Sequence, residues 1–229
     1  YDVRKLVFSS SATVYGDPEE VPIKEDAKRF ATNPYGKTKL IIEDLFFDLA
    51  RNQKSLSDKN WQIALLRYFN PIGAHSTGFI GEDPKGIPNN LMPFITQVAV
   101  GKRKQLSVFG NDYNTKDGTA VRDYIHVEDL AKAHLKALRF LFDLKEQNIY
   151  EFFNVGTGTG YSVLDIVNSF EKVNNIKLKY SLKGRRDGDI EEIYSDVKKS
   201  KKVLKWKSER SLDDMMSSAW RWQKNLSNF

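Results

Sequence analysis

The chain has 229 residues, 40% of them apolar, and a formal net charge of +6, which is material for one large or two small domains with a substantial buried core. No apolar run approaches the roughly 18 residues of a membrane span, and the first residues lead straight into a short apolar strand instead of a secretion signal, so no membrane partner is expected. Zero cysteines exclude a disulfide scaffold and a thiolate metal site and suit a reducing cytoplasm. His75, His126 and His134 stand in no zinc-like spacing, so no metal is expected. The densest charge, Lys198, Lys199, Lys201, Lys202 and Lys205 around Val203, Leu204 and Trp206, reads as the solvated face of an amphipathic helix. With no recognition motif or aromatic platform beside it, nucleic-acid binding is not expected. Basic residues near a pocket would instead suit a diphosphate.

In chain order, residues 5–9 read as a short buried strand, followed by the polar segment Ser10-Ser-Ala-Thr-Val-Tyr-Gly16, the kind that sits at a strand's carboxyl end. In open α/β sheets that edge is where ligands bind. Asn33 and Pro34 supply a cap and a first helical position, and the spacing predicts a helix over 34–51 whose apolar side carries Leu40, Ile41, Leu45, Phe46 and Leu49. Residues 62–67 form a compact strand candidate, and strand, helix and strand in that order predict a parallel βαβ unit. A long loop containing Gly78, Gly81, Pro84, Gly86 and Pro88 comes next, of the length that usually carries function. Further on, the pattern predicts helices over 91–100 and 127–144, with a strand at 106–109 between them. Beyond these come a strand at 152–155 and a helix over 162–174. A helix containing 197–204 and a last one over about 212–225 complete the set. The turn Gly156-Thr-Gly-Thr-Gly160 is no dinucleotide fingerprint, because the third glycine would fall at Tyr161. It reads as a tight turn with Ser162 capping the next helix.

Tyr35 and Lys39 are four residues apart on the helix over 34–51, so their side chains leave the same face one turn apart. A phenol with a pKa near 10 is a poor base at neutral pH, and a neighbouring ammonium favours its ionised form. A hydroxyl from the strand end, Ser11, can align a substrate hydroxyl with the phenol. A Tyr-x-x-x-Lys pair alone usually decorates a solvated helix, and it is the ordered context that makes this one informative.

That context is extensive. Phe8-Ser-Ser-Ser-Ala-Thr-Val-Tyr-Gly16, Asn33-Pro-Tyr-Gly-Lys-Thr-Lys39, Leu65-Leu-Arg-Tyr-Phe-Asn-Pro71, Gly81-Glu-Asp-Pro84, Gly86-Ile-Pro-Asn-Asn-Leu-Met-Pro93 and Val121-Arg-Asp-Tyr-Ile-His-Val127 resemble successive motifs of the UDP-glucose 4-epimerases, in the extended short-chain dehydrogenase superfamily. The resemblance covers essentially the whole chain. It implies an α/β fold with an incomplete Rossmann-type parallel sheet: residues 1–72 as the carboxyl-terminal part of an NAD-binding domain, and 73–229 mainly as a smaller UDP-sugar-binding domain with segments returning to the sheet.

The resemblance also implies roles. Tyr35 would be the base, Lys39 its electrostatic partner and a ribose contact, and Ser11 the partner of the sugar's 4-hydroxyl. These three and Phe69 would border NAD. Asn70, Asn90 and Leu91 would line the sugar-nucleotide pocket, Ser107, Val108 and Phe109 would lie by uracil, Arg122 and Arg186 would meet the phosphates, and Asp189 the ribose. Ile193 would border the sugar's 2-substituent. The expected reaction interconverts UDP-glucose and UDP-galactose through a 4-keto sugar, in a protein that pairs as a homodimer through the Tyr35 helix. No phosphate-loop glycine motif precedes Ser9, so the region carrying it is expected to be lacking and the isolated chain to be inactive, which leaves a sugar-nucleotide-binding or regulatory fragment as an alternative. A 4,6-dehydratase would carry Asp-Glu where Ala12 and Thr13 stand.

Overall fold

A computed structural model describes residues 3–51, 61–145 and 148–226, and by its internal contacts the chain divides into two compact units. The first takes in residues up to Phe69, then Leu130–Gly158 and Tyr194–Lys207. Its sheet is built from β1 (Lys5–Ser11), β2 (Gln62–Tyr68) and β6 (Ile149–Val155), all parallel in the order β1-β2-β6. Six consecutive residues of β2 are buried, as expected of a central parallel strand covered on both faces. After β1 the chain makes one 3₁₀ turn, Ala12–Val14, which Ser11 caps by accepting from the Thr13 amide.

Helix α1 (Pro34–Arg51) connects β1 to β2 and completes the expected βαβ unit. Asn33 Oδ1 accepts from the Gly36 amide at 2.8 Å, so the predicted cap is in place. The predicted apolar side of α1 needs correction. Ile41 and Leu45 are 67% and 55% exposed, and the buried residues are Gly36, Glu43 and Ala50. A seven-residue recurrence returns to the same helix face, and here small residues and one paired carboxylate occupy it. A Cβ on Gly36 would stand 2.7 Å from the Thr13 carbonyl oxygen, so the close approach of α1 to the strand end requires glycine there.

The second unit comprises Asn70–Asp129, Thr159–Ile193 and Ser208–Phe229. Within it β5 (Val121–His126) pairs in parallel with β3 (Asn70–Ile72) and β9 (Glu192–Ile193), and antiparallel with β7 (Gly160–Ser162). β4 (Leu106–Phe109) and β8 (Tyr180–Lys183) form a separate parallel pair. Helices α2 (Leu91–Ala99), α4 (Val163–Asn174) and α6 (Leu212–Leu226) bury Met92, Ile95, Ile166, Phe170, Met215 and Met216 in one apolar core. Ser162 and Asp165 make a reciprocal capping box at the start of α4, the cap the sequence predicts.

The remaining helices are α3 (Val127–Asp143) and α5 (Lys198–Val203). α3 buries Leu130, Ala133, Ala137 and Leu141, one residue per turn, from Leu130 onward within the first unit. No helix among the described residues is long and apolar enough to cross a membrane.

Candidate active site and nucleotide pocket

The carboxyl end of β1 and the first turns of α1 bring Ser11, Tyr35 and Lys39 together within the first unit. Lys39 Nζ donates to the Ser9 carbonyl at 2.9 Å and sits 5.5 Å from the centre of the Tyr35 ring and 5.0 Å from that of Phe8. Ser11 Oγ accepts from the Thr13 amide at 3.2 Å and the Thr13 hydroxyl at 3.0 Å. The Ser11 proton therefore remains available to another acceptor. Tyr35 is 52% exposed, open to an incoming group.

The surroundings of Tyr35 act on its pKa in opposing directions. Partial burial raises it above its ordinary value, the neighbouring Tyr68 adds to the rise, and hydrogen bonding with Ser11 works against it. Phe69 is 5% exposed, and its amide donates to the Val155 carbonyl at 3.2 Å, which fixes the chain just past the end of β2.

The donors at this strand end suit one end of a dinucleotide: an ammonium and a phenol at the carboxyl edge of a parallel sheet can hold a ribose hydroxyl. The glycine turn that follows β6 does different work. Gly158 has φ +79°, and a Cβ there would lie 3.1 Å from Val197, so this glycine serves a turn packed against a side chain.

The second unit contains a cavity of about 420 Å³. Nine of the residues singled out in the sequence line it: Asn70, Asn90, Leu91, Ser107, Val108, Phe109, Arg122, Arg186 and Asp189. Ile193 does not. It is 6% exposed on β9, in register with Arg122 of β5. The sequence reading missed Phe94, Ala120, Tyr124 and Val163, which also line the cavity. Tyr124 stands two residues beyond Arg122 and so shares its strand face, a signal the Val121–His126 motif already contained.

The cavity's electrostatics suit an anion. Burial pulls the Arg122 pKa down, with Tyr124 and Asp189 working against that, and its Nη1 donates to the Val121 carbonyl at 2.8 Å. Burial pushes the Tyr124 hydroxyl up to about 12, with Arg122 opposing, so it stays a neutral donor. Arg186 forks onto Asp189 at 2.9 and 3.1 Å and lies 4.9 Å over the Phe109 ring. Fork, aromatic face and second arginine together make a surface for a flat base and an attached phosphate.

The family model described as GDP-mannose 4,6-dehydratase matches residues 1–219. The chain is similar to UDP-glucose 4-epimerase of Bacillus subtilis, 56% identical over 228 residues, covering 100% of this chain and 65% of that protein. UDP-glucose 4-epimerase of Bos taurus is 53% identical over 231 residues, covering 100% and 64%. Among solved structures, UDP-glucose 4-epimerase of Stenotrophomonas maltophila with bound NAD and formylated UDP-arabinopyranose is similar with a TM-score of 0.93 and 46% identity, over 99% of this chain and 65% of that one. That of Bifidobacterium longum in complex with NAD+ and UDP gives a TM-score of 0.90 at 48% identity, over 99% and 65%. The chain thus spans about two thirds or less of the length of the relatives it matches.

Proposed function

Because the chain belongs to the family described by the GDP-mannose 4,6-dehydratase model, and its similar relatives are UDP-glucose 4-epimerases, we propose that it carries the proton-transfer and sugar-nucleotide sites of an NAD-dependent 4-epimerase acting on UDP-glucose and UDP-galactose. The observation that carries this reading is the grouping of Ser11, Tyr35 and Lys39 at one strand end. Ser11 and Tyr35 would hold the sugar's 4-hydroxyl, Tyr35 would take its proton as C4 is oxidised and return it after the 4-keto sugar has turned, and Lys39 would favour the ionised phenol. NAD, when bound, supplies hydride acceptance and return at C4. Lys39, Tyr35, Ser11 and Phe69 are the residues that would hold it.

The nucleotide would anchor the substrate while the hexose turns: Arg122 and Arg186 on the diphosphate, Asp189 on the ribose, Ser107, Val108 and Phe109 by the base, with Asn70, Asn90 and Leu91 around them. Ala12 and Thr13 leave out the acidic pair of a dehydratase. The exposed Ile41 and Leu45 on α1 support pairing of two copies through this helix.

The decisive experiment compares the 229-residue chain with the same chain joined to a glycine-loop segment taken from the Bacillus subtilis relative. The joined protein is expected to convert UDP-galactose to UDP-glucose, and the chain alone to bind UDP without turnover. A joined protein that retains NAD and UDP yet leaves UDP-galactose unchanged refutes the epimerase reading. The second reading, a sugar-nucleotide-binding module, is favoured by one observation: every residue lining the cavity belongs to the second unit.

A further inference from the structure

Two turns beyond Tyr35 on α1 stands Glu43, whose side chain is fully buried. Arg67 of β2 forks onto it, Nε to Oε1 at 2.9 Å and Nη2 to Oε2 at 2.6 Å, with its own side chain 2% exposed. The remaining guanidinium nitrogen, Nη1, donates to the Tyr15 hydroxyl at 3.1 Å and the Glu25 carbonyl at 3.0 Å. The Arg67 Cζ lies 4.4 Å from the centre of the Phe152 ring. Glu43 Oε1 also accepts from Ser10 Oγ at 2.5 Å, and the Glu43 carbonyl accepts from the Tyr150 hydroxyl at 3.0 Å. Tyr15 in turn donates to Asn154 Oδ1 at 2.6 Å. The contacts tie α1 to all three strands of the sheet.

A buried ion pair is a poor means of adding stability. Removing both charges from water offsets most of their attraction, and apolar residues of similar volume often serve as well or better. What a fork does supply is uniqueness. Two parallel hydrogen bonds are made in one relative placement of helix and strand, and a slide of one turn, about 5.4 Å, breaks both. The placement fixed here is that of the residues beside it: Ser10 immediately precedes Ser11, and Glu43 follows Lys39 by one turn. Apolar contacts of α1 with the sheet exist, Phe46 edge-on to Phe8 at 5.2 Å and Phe47 to Tyr150 at 5.4 Å, but ring contacts tolerate a range of placements that the two bonds of the fork do not.

We propose that Glu43 and Arg67 are positioning residues for the proton-transfer trio, holding α1 in the single register that sets the Tyr35 hydroxyl against Ser11. This rests on Tyr35 being the group that exchanges the proton, and its test reads no turnover, so failure here leaves the proposed activity standing. The 229-residue chain is labelled at the tyrosine ring Cζ carbons, and the Tyr35 signal is assigned by its loss in Tyr35→Phe. Lys39 and Tyr68 remain unchanged throughout as the other charged or ionisable neighbours of the phenol.

In the double variant Glu43→Leu/Arg67→Met the thermal midpoint is expected to hold or rise. Tyr35 is expected to titrate at higher pH than in the parent, approaching Ser11→Ala, because Ser11 no longer favours the ionised phenol. The Thr13 amide, which donates to Ser11 Oγ, is expected to exchange roughly tenfold faster, the worth of about one hydrogen bond, while the Leu66 amide in the sheet is unchanged. A folded double variant whose Tyr35 titration and Thr13 exchange match the parent overturns the proposal. Should the double variant not fold, Glu43→Gln decides, since it keeps the side chain's shape and removes the fork: the same upward move of Tyr35 supports the positioning role, and a parent-like titration overturns it.

Discussion

In the unit that carries Ser11, Tyr35 and Lys39, the largest fully buried side chain is Arg67, held by a carboxylate, a phenol and a main-chain carbonyl. The unit that carries Arg122 and Arg186 packs Met92, Ile95, Phe170 and Met216 into an apolar core and places both arginines on a cavity wall. If Tyr35 exchanges a proton as proposed, the first arrangement commits a buried charge to geometry, since such a transfer would tolerate little error in distance. The second leaves its charges on an open wall, where the proposed diphosphate would bring its own counter-charge. Burial acts on the two arginines in the same direction, and the partners decide the result. Arg67 is held above its ordinary pKa despite burial, by hydrogen bonding to Glu43 and the Tyr15 contact. Arg122, with weaker compensation from Tyr124 and Asp189, is held below.

The contrast is broken most directly at Tyr35. In the joined, NAD-binding protein, Tyr35→Phe is expected to lower kcat by about 10²–10⁴-fold with UDP affinity unchanged, measured by turnover of UDP-galactose and by calorimetry. Next in size is Glu43→Ala, which strands the Arg67 charge and is expected to cost about 3–5 kcal/mol of stability in chemical denaturation. A loss below about 1 kcal/mol would mean that water or another acceptor takes over the guanidinium. On the binding side, Arg122→Ala is expected to weaken UDP by roughly tenfold to a hundredfold, the worth of a charge-assisted bond. Uridine affinity should hardly move, and an equal loss for uridine would place Arg122 on the base instead of the phosphate.

The smallest effect concerns pH. Burial lowers the pKa of His126 from 6.5, with Glu128 opposing, and its Nε2 lies 3.1 Å from Ser218 Oγ. The unfolded chain therefore binds a proton more readily than the folded one. The stabilising contribution is complete above about pH 6.5 and is lost as pH falls through the lowered folded value. Urea midpoints measured from pH 8 to 3 should begin to decline above pH 5, and less steeply there in His126→Gln. Glu128 is lowered chiefly by its bond from the Ser76 amide, and Asp214 by Ser211. Both lose their contributions in a more acid range, so a decline confined below pH 5 would point to them and not to His126.

Much of this was legible in the residues. Asn33 and Ser162 announced two helix starts, the strand-helix-strand order announced the parallel sheet, and nine of the ten pocket residues implied by the family resemblance line one cavity. The buried face of α1 was not legible, because an apolar period assumes that charge points outward, and Glu43 is inside on account of Arg67, 24 residues away, with Arg29 and Ser10 also bonded to it. β3, β7 and β9 have two or three residues each, too few to show a period of two. They exist because β5 is there to pair with them, which is long-range information. Ile193 shows the same limit: a position inferred to border a sugar is packed beside Arg122 in a strand, and a lone isoleucine gives no sign of which.

The run Ser9-Ser10-Ser11 looks like one residue written three times, yet its hydroxyls answer to three different neighbours. Ser9 Oγ lies 2.8 Å from His134 Nε2, Ser10 Oγ reaches Glu43, and Ser11 Oγ takes the Thr13 amide. Lys39 depends on position 9 only for its main-chain oxygen, an atom every amino acid provides. A saturation survey of these codons should therefore return unequal tolerance: broadest at 9, where any side chain accommodating His134 keeps the lysine seated, and narrowest at 11. The identical letters conceal a gradient of constraint across one turn-length of chain.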